Sequence, residues 1–191
     1  MIYLIGGAPR LGKSILATKL LHDRGIPWLS TDSLCAMLRS GTEMQFSDIM
    51  HLGTAKIVER EMSESESITK SLGIFIERQL ESGLDFTLEG VHLLPTLVGH
   101  TQKTRPAEVK SVFVVSTDRK VVLSGLHSDT REQNWMRGAS EEMQRSMADF
   151  VVGYSVEIKN HAEKEGLPLF ERTENFQQDI EAMVRLLQKR G

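Results

Sequence analysis

Residues 6 to 14 read Gly6-Gly7-Ala8-Pro9-Arg10-Leu11-Gly12-Lys13-Ser14, and from Gly7 onward they satisfy G-x-x-x-x-G-K-[ST], the loop that wraps a nucleotide's phosphates. The glycines at both ends let the backbone turn its N–H groups toward phosphate oxygens. Lys13 is long enough to reach the β- and γ-phosphates, and Ser14 offers a hydroxyl to Mg²⁺. The expected nucleotide-contacting set is Gly7, Ala8, Pro9, Arg10, Leu11, Gly12, Lys13, Ser14 and Ile15, with ATP or GTP as the nucleotide.

The flanks supply the context that such a loop needs. Met1 to Ile5 is a short apolar run that reads as a buried strand, and Ser14 to Leu21 spaces its apolar residues as an amphipathic helix does. Strand, glycine loop and helix follow in the order in which a helix N-terminus directs its free N–H groups and positive dipole end at an anion. The competing interpretation is a glycine-rich turn without a ligand, and a matching strand and helix argue against it.

Working outward, Gly25 to Ser30 predicts a turn and a short second strand, and Asp32 to Leu38 a helix opened by a Ser/Thr/Asp cap. Gly41 to Ser47 reads as a loop. Residues 54 to 82 carry apolar positions at helical spacing, interrupted by Ser63-Glu64-Ser65-Glu66-Ser67, which predicts two helices or one bent helix. That run reads most simply as a solvated face, with an acidic ligand site as the alternative. Leu84 to Glu89 forms a third strand, Pro95 to Pro106 a loop that is basic at Lys103 and Arg105, and Lys110 to Val115 the clearest buried strand. A helix is expected from about Asp118 to Leu126, a second from Ser140 to Lys164, a fifth strand at Leu167 to Phe170, and a terminal helix at Phe176 to Gln188.

Strands alternating with helices predict a parallel sheet covered on both faces, with ligands beyond the carboxyl ends of the strands. Those ends are the glycine loop, Thr31-Asp32, Glu89 to His92, and Ser116 to Asp118. Phosphoryl transfer asks for positioning and charge neutralisation: a metal, cations on the transferred group, and a carboxylate facing the attacking hydroxyl. Asp32 is the candidate for that carboxylate, with a helix N-cap as its structural alternative. Glu89, expected beside the glycine-loop strand, is the candidate base or, with Ser14, metal ligand. His92 is either an acceptor-facing group or an ordinary core or surface histidine. Arg131 and Arg137 lie in a stretch at about 127 to 138 without strong periodicity, where a lid would carry them onto the transferred phosphate. Arg39 either meets the acceptor or satisfies its helix's last carbonyls.

Composition narrows the partners. The 191 residues are 40% apolar, enough for one domain with a proper core, and a formal charge of −3 gives nucleic acid and anionic membranes no global attraction. The single cysteine, Cys35, excludes an intrachain disulfide and reads as a small buried residue on a helix face. No apolar stretch approaches the roughly 18 residues of a membrane helix. A soluble cytoplasmic protein, monomer or homodimer, is expected.

The glycine loop, Leu29-Ser30-Thr31-Asp32-Ser33 with Leu38-Arg39, and Leu88-Glu89-Gly90-Val91-His92-Leu93-Leu94-Pro95 together resemble the 2-phosphoglycerate kinase family of small P-loop kinases. The segment from Val112 to Ser116, an Arg-bearing stretch, a long helix and Gly166-Leu167-Pro168-Leu169 are similar to that family's second half. The resemblance implies a single P-loop NTPase domain over residues 1–191, a three-layer α/β/α sandwich with a five-stranded parallel sheet ordered 2-3-1-4-5 and a small lid. It further implies ATP-dependent, Mg²⁺-assisted phosphorylation of a hydroxyl on a small acid, 2-phosphoglycerate giving 2,3-bisphosphoglycerate. By the same resemblance Gly7, Gly12, Lys13 and Ser14 bind nucleotide and metal, while Asp32, Arg39, Glu89 and His92 surround the acceptor. A nucleoside monophosphate kinase is the nearest rival, but Glu89-Gly90-Val91-His92 stands where that group carries Asp-Gly-Phe-Pro-Arg. The residues are also compatible with an antibiotic or metabolite phosphotransferase and, from a different class, with a nucleotide-dependent switch or assembly module.

Overall fold

The computed structural model describes residues 1–38, 46–128 and 136–188. At its centre lies β1 (Ile2–Gly7), buried along its whole length. A strand can be apolar on both faces only when both are covered, and helices cover both here. β1 pairs in parallel with β3 (Phe86–Glu89) on one side and β4 (Val109–Val115) on the other. Outside these lie β2 (Trp28–Ser30), next to β3, and β5 (Leu169–Glu171), next to β4. The sheet order is 2-3-1-4-5, as the resemblance implies.

Register carries this order into function. Ile5 and Ser30 are both level with Glu89, while Gly7 is level with Val114 and Val115 with Glu171. The carboxyl ends of all five strands therefore meet along one edge, where an open parallel sheet takes its ligands.

One helical layer holds α1 (Lys13–Arg24) and α8 (Phe176–Gln188), which pack on each other; α1 touches β1, β2 and β3, and α8 touches β4. The other is built on α7 (Glu141–Glu165), which contacts α4 (Thr54–Ser82), α5 (Pro95–Thr104) and α6 (Arg119–Ser128) as well as β4. α2 (Thr31–Leu38) follows β2 directly, and a short α3 (Phe46–Ile49) precedes α4. The expected start of α7 is borne out: Ser140 Oγ accepts from the Met143 N–H at 3.2 Å. So is the buried place of Cys35 on α2.

One expectation narrows and one changes. Of two helices or one bent helix, residues 54–82 form a single helix, in which the hydroxyls of the polar run bond back to the carbonyls of the preceding turn: Ser65 to Glu61 O, Ser67 to Glu64 O and Thr69 to Ser65 O. Pro95 to Thr104 is a helix rather than a loop. Proline stands at its first position, where no N–H is needed, and Val98 is buried in the main core. Arg39, Arg131 and most of the expected loop at 41–47 and lid at 127–138 lie outside the described residues. No helix among the described residues is long and apolar enough to cross a membrane.

Candidate active site

The turn after β1 brings the chain into α1 through Gly12, at φ 95°, a conformation that favours glycine. A Cβ there would lie 2.8 Å from the Phe176 ring. Ala8 and Leu11 turn into the core, while Pro9, Arg10, Gly12, Lys13, Ser14 and Ile15 line a cavity of about 440 Å³. The first N–H groups of α1 thus open at the cavity wall, a ready anion site. Lys13 Nζ donates to Ala8 O at 2.6 Å, folding the side chain back over the loop. Burial holds its pKa below the ordinary lysine value, against the opposing pull of Glu89, Asp32 and Glu61.

Across the loop, Ser14 Oγ donates to Glu89 Oε1 at 3.0 Å. The registers explain the contact, since Glu89 ends β3 beside β1. Burial pushes the Glu89 carboxyl above its usual range, with Lys13 and the Ser14 hydrogen bond opposing. Hard oxygen donors from a hydroxyl and a carboxylate, the latter stabilised in its charged form by any added positive charge, fit a Mg²⁺ ion. No cluster of three or more His, Cys, Asp or Glu side chains able to hold a metal on their own occurs among the described residues. A metal here would depend on the nucleotide's oxygens as well.

The far wall is built from β2, β3 and α4. Asp32 lies in the first turn of α2, and its N–H donates to Ser30 Oγ at 3.1 Å, so Ser30 rather than Asp32 or Thr31 caps the helix. The Asp32 carboxylate instead lines the cavity. His92 is 5% exposed. Its Nδ1 lies 3.1 Å from Thr31 Oγ1 and 3.5 Å from Asp32 Oδ1, and its Nε2 lies 3.6 Å from Glu61 Oε1 and 3.8 Å from Glu64 Oε1. Burial alone would lower its pKa, but Asp32, Cys35 and Glu61 outweigh it and raise the imidazole to about 9. Gly90 makes the arrangement possible: at φ 152° a Cβ would meet Thr31 Oγ1 at 1.8 Å.

The structure thus brings Lys13, Ser14, Asp32, Glu89 and His92 onto one cavity. Arg137 is exposed and lines neither this cavity nor its neighbour. Ser116 to Asp118 serve the framework: Ser116 N–H binds Ser155 Oγ, Thr117 binds Glu171, and Asp118 accepts from the Lys120 N–H. Sequence reasoning missed Glu61, and it placed Glu64 in a run that reads first as a solvated face. The signal for both is position: with Ile57, Ser65, Ile68 and Leu72 they share the inward stripe of α4, where a carboxylate is out of pattern.

A second cavity, of about 270 Å³, shares Arg10, Gly12 and Ile15 with the first and continues to Val121, Ser124 and Gly125 of α6 and to Arg172, Thr173, Glu174 and Phe176. Arg172 is buried there, 3.1 Å from Asp179 Oδ2, with its guanidinium 4.5 Å from the Phe176 ring centre and 3.3 Å from Leu11 O.

Comparison with known proteins agrees with this geometry. A protein of Methanothermobacter thermautotrophicus named 2-phosphoglycerate kinase is 24% identical over 99% of this chain and 66% of its own length. One of the same name from Thermococcus kodakarensis is 25% identical over 90% of this chain and 61% of its own, and one from Pyrococcus horikoshii is 30% identical over 51% and 37%. The chain is similar to these archaeal proteins named 2-phosphoglycerate kinase. It spans between about a third and two thirds of the length of these curated relatives. Among solved structures, shikimate kinase from Bacteroides thetaiotaomicron superposes with a TM-score of 0.52 at 12% identity, covering 99% of both chains. A gluconokinase from Sinorhizobium meliloti gives 0.52 at 13%, covering 98% of this chain and 93% of its own. The fold is that of the small P-loop kinases. No protein-family model matches the chain.

Proposed function

We propose that the chain is an ATP-dependent kinase that transfers the γ-phosphoryl group to a hydroxyl of a small acidic metabolite, with 2-phosphoglycerate, giving 2,3-bisphosphoglycerate, as the first acceptor. The observation that carries this reading is the shared cavity. Lys13 and Ser14 of the phosphate loop line the same space as Asp32 and His92. A switch protein has no need of an acceptor wall facing its phosphate loop. The names of the archaeal relatives support the acceptor.

In this reading the second cavity takes the nucleoside, and the loop between the two cavities takes the phosphates. Lys13 leaves Ala8 O for the β/γ-phosphates, whose charge restores its proton affinity. Ser14 and Glu89 hold Mg²⁺, which neutralises phosphate charge when bound. Asp32 accepts a hydrogen bond from the acceptor hydroxyl and takes its proton as the new bond forms. His92, as an imidazolium, supplies positive charge on the acceptor side.

The test is ATP turnover with Mg²⁺ against 2-phosphoglycerate, 3-phosphoglycerate, nucleoside monophosphates, sugar acids and uncharged polyols. One-for-one product with 2-phosphoglycerate is expected, and Lys13→Met is expected to lose about 100-fold or more in kcat while remaining folded. Turnover that no acceptor stimulates would favour the switch. Near-normal transfer by Lys13→Met would remove the assigned site.

A further inference from the structure

Two carboxylates in the cavity have no part in the transfer described above. Glu61 and Glu64 stand one turn apart on α4, and both are within ion-pair distance of the same nitrogen, His92 Nε2. The other ring nitrogen faces Thr31 and Asp32 of α2. His92 therefore joins the helix that carries the proposed hydroxyl-orienting carboxylate to α4, on which that helix also packs through Cys35, Ile68 and Leu72.

The bridge is held at each abutment. Tyr154 of α7, buried throughout, donates to Val91 O at 2.8 Å and so fixes the backbone beside His92. Ser65 donates to Glu61 O at 2.9 Å within α4. On the α2 side, Gly90 leaves room for Thr31 Oγ1 to reach the ring. A ring fixed on one side only would rotate about its side-chain bonds. A ring held at Nε2 as well presents Nδ1 to Asp32 in one orientation.

From this geometry we infer that Glu61 and Glu64 are positioning residues for phosphoryl transfer, acting through the His92 ring to fix the Asp32 carboxylate against the acceptor hydroxyl. The inference rests on the kinase reading and on the role given to Asp32 there. It goes beyond them by assigning function to α4, which supplies no residue of the phosphate loop and follows no strand directly. The groups facing the ring are Thr31, Asp32 and Cys35 from α2 and Glu61 and Glu64 from α4, with the Tyr154 hydroxyl of α7 on the neighbouring Val91 O. With Asp32, Glu61 and Glu64 anionic, the doubly protonated ring is favoured, and both nitrogens then serve as donors.

The experiment compares Glu61→Gln, Glu64→Gln and the double variant with wild type, and uses Glu66→Gln, an exposed neighbour on α4, as the control. Glutamine keeps size and helix propensity while removing charge. Three quantities are read: kcat and KM for ATP, the pH profile of kcat, and the His92 titration by NMR. In the double variant kcat is expected to fall about tenfold or more with ATP KM within about twofold. The alkaline limb of kcat and the His92 midpoint should both move to lower pH by about one unit. A merely structural role would lower stability without moving the pH profile. Wild-type kcat in the double variant, or an unmoved His92 midpoint, overturns the inference and leaves the kinase reading standing. A wild-type chain that phosphorylates nothing in the acceptor panel overturns both.

Discussion

His92 enters the sequence as one of six histidines and emerges as the most heavily solicited side chain of the site. Its raised pKa has a consequence for stability with a definite sign. The folded state binds the imidazole proton with a pKa of about 9, the unfolded chain at the ordinary 6.5. The contribution is full below pH 6.5 and is lost as pH rises through 9. At about 1.4 kcal/mol per unit its upper limit is on the order of 3 kcal/mol. Denaturant melts of wild type and His92→Gln should therefore differ by about 2–3 kcal/mol more at pH 6 than at pH 10. An equal difference at both would show that the folded ring carries no extra proton affinity. Asp32 and Glu89 were legible because each directly follows or ends a strand, and strand ends are where this sheet takes ligands. Glu61 and Glu64 were not, because a polar serine-rich helix hides two inward carboxylates among outward ones. Helical spacing with Ile57, Ile68 and Leu72 marks them out, but only three dimensions show that both meet His92.

α8 was legible from end to end, since its apolar residues at helical spacing need no tertiary information to be read. What could not be read was its use. Asp179 in the first turn has the appearance of a carboxylate complementing the helix dipole. Instead it accepts from Thr173 N–H and Oγ1, both at 2.8 Å, and pairs with the buried Arg172, which reaches Leu11 O in the phosphate loop. The pairing is local, but the contact it holds in place, Arg172 to Leu11 O, joins residues 161 positions apart and has no periodic signature. Asp179→Ala leaves a guanidinium buried without its counter-charge and is expected to cost about 3–5 kcal/mol. Adding Arg172→Met should recover part of that loss, because the unpaired buried charge is then gone, and only part, because Thr173 N–H and Oγ1 still lack their acceptor. KM for ATP should rise in both variants, since Arg172→Met removes the contact to Leu11 O and Asp179→Ala removes the carboxylate that holds the guanidinium in place for it. Thermal melts and ATP kinetics on the single and double variants check this, and an additive double variant would show the two residues to be independent. α5 failed as a sequence reading for a related reason. Its two bracketing prolines suggest a loop, while Val98 finds its partners only once β4 and α7 are in place.

At the scale of the molecule, the strand order and the shared edge followed from the resemblance and from strand–helix alternation, because parallel pairing demands crossovers and crossovers demand helices on the faces. The two cavities did not follow. They depend on how α4, α6 and α8 converge on one loop, a consequence of packing rather than of local pattern. That convergence makes a thermodynamic prediction about the whole fold. Nucleotide bound across Arg10, Gly12 and Ile15 would touch the β1–α1 turn, α1, α6 and the β5–α8 turn together, so binding should stabilise against global unfolding rather than a local opening. At ATP and Mg²⁺ concentrations near 100 times Kd the gain is about 2.7 kcal/mol, which for a domain of this size is roughly 5–10 °C in Tm. Omitting Mg²⁺ should shrink the shift, because Glu89 and the phosphates then repel across Ser14. Lys13→Met should shrink it further. Its own Tm without ligand is expected to stay near that of wild type, since relief of a buried ammonium is offset by loss of the charge that opposes the burial of Glu89. A full shift in Lys13→Met would show that nucleotide binds elsewhere, whereas a lost shift with an intact unliganded melt would tie binding to the phosphate loop.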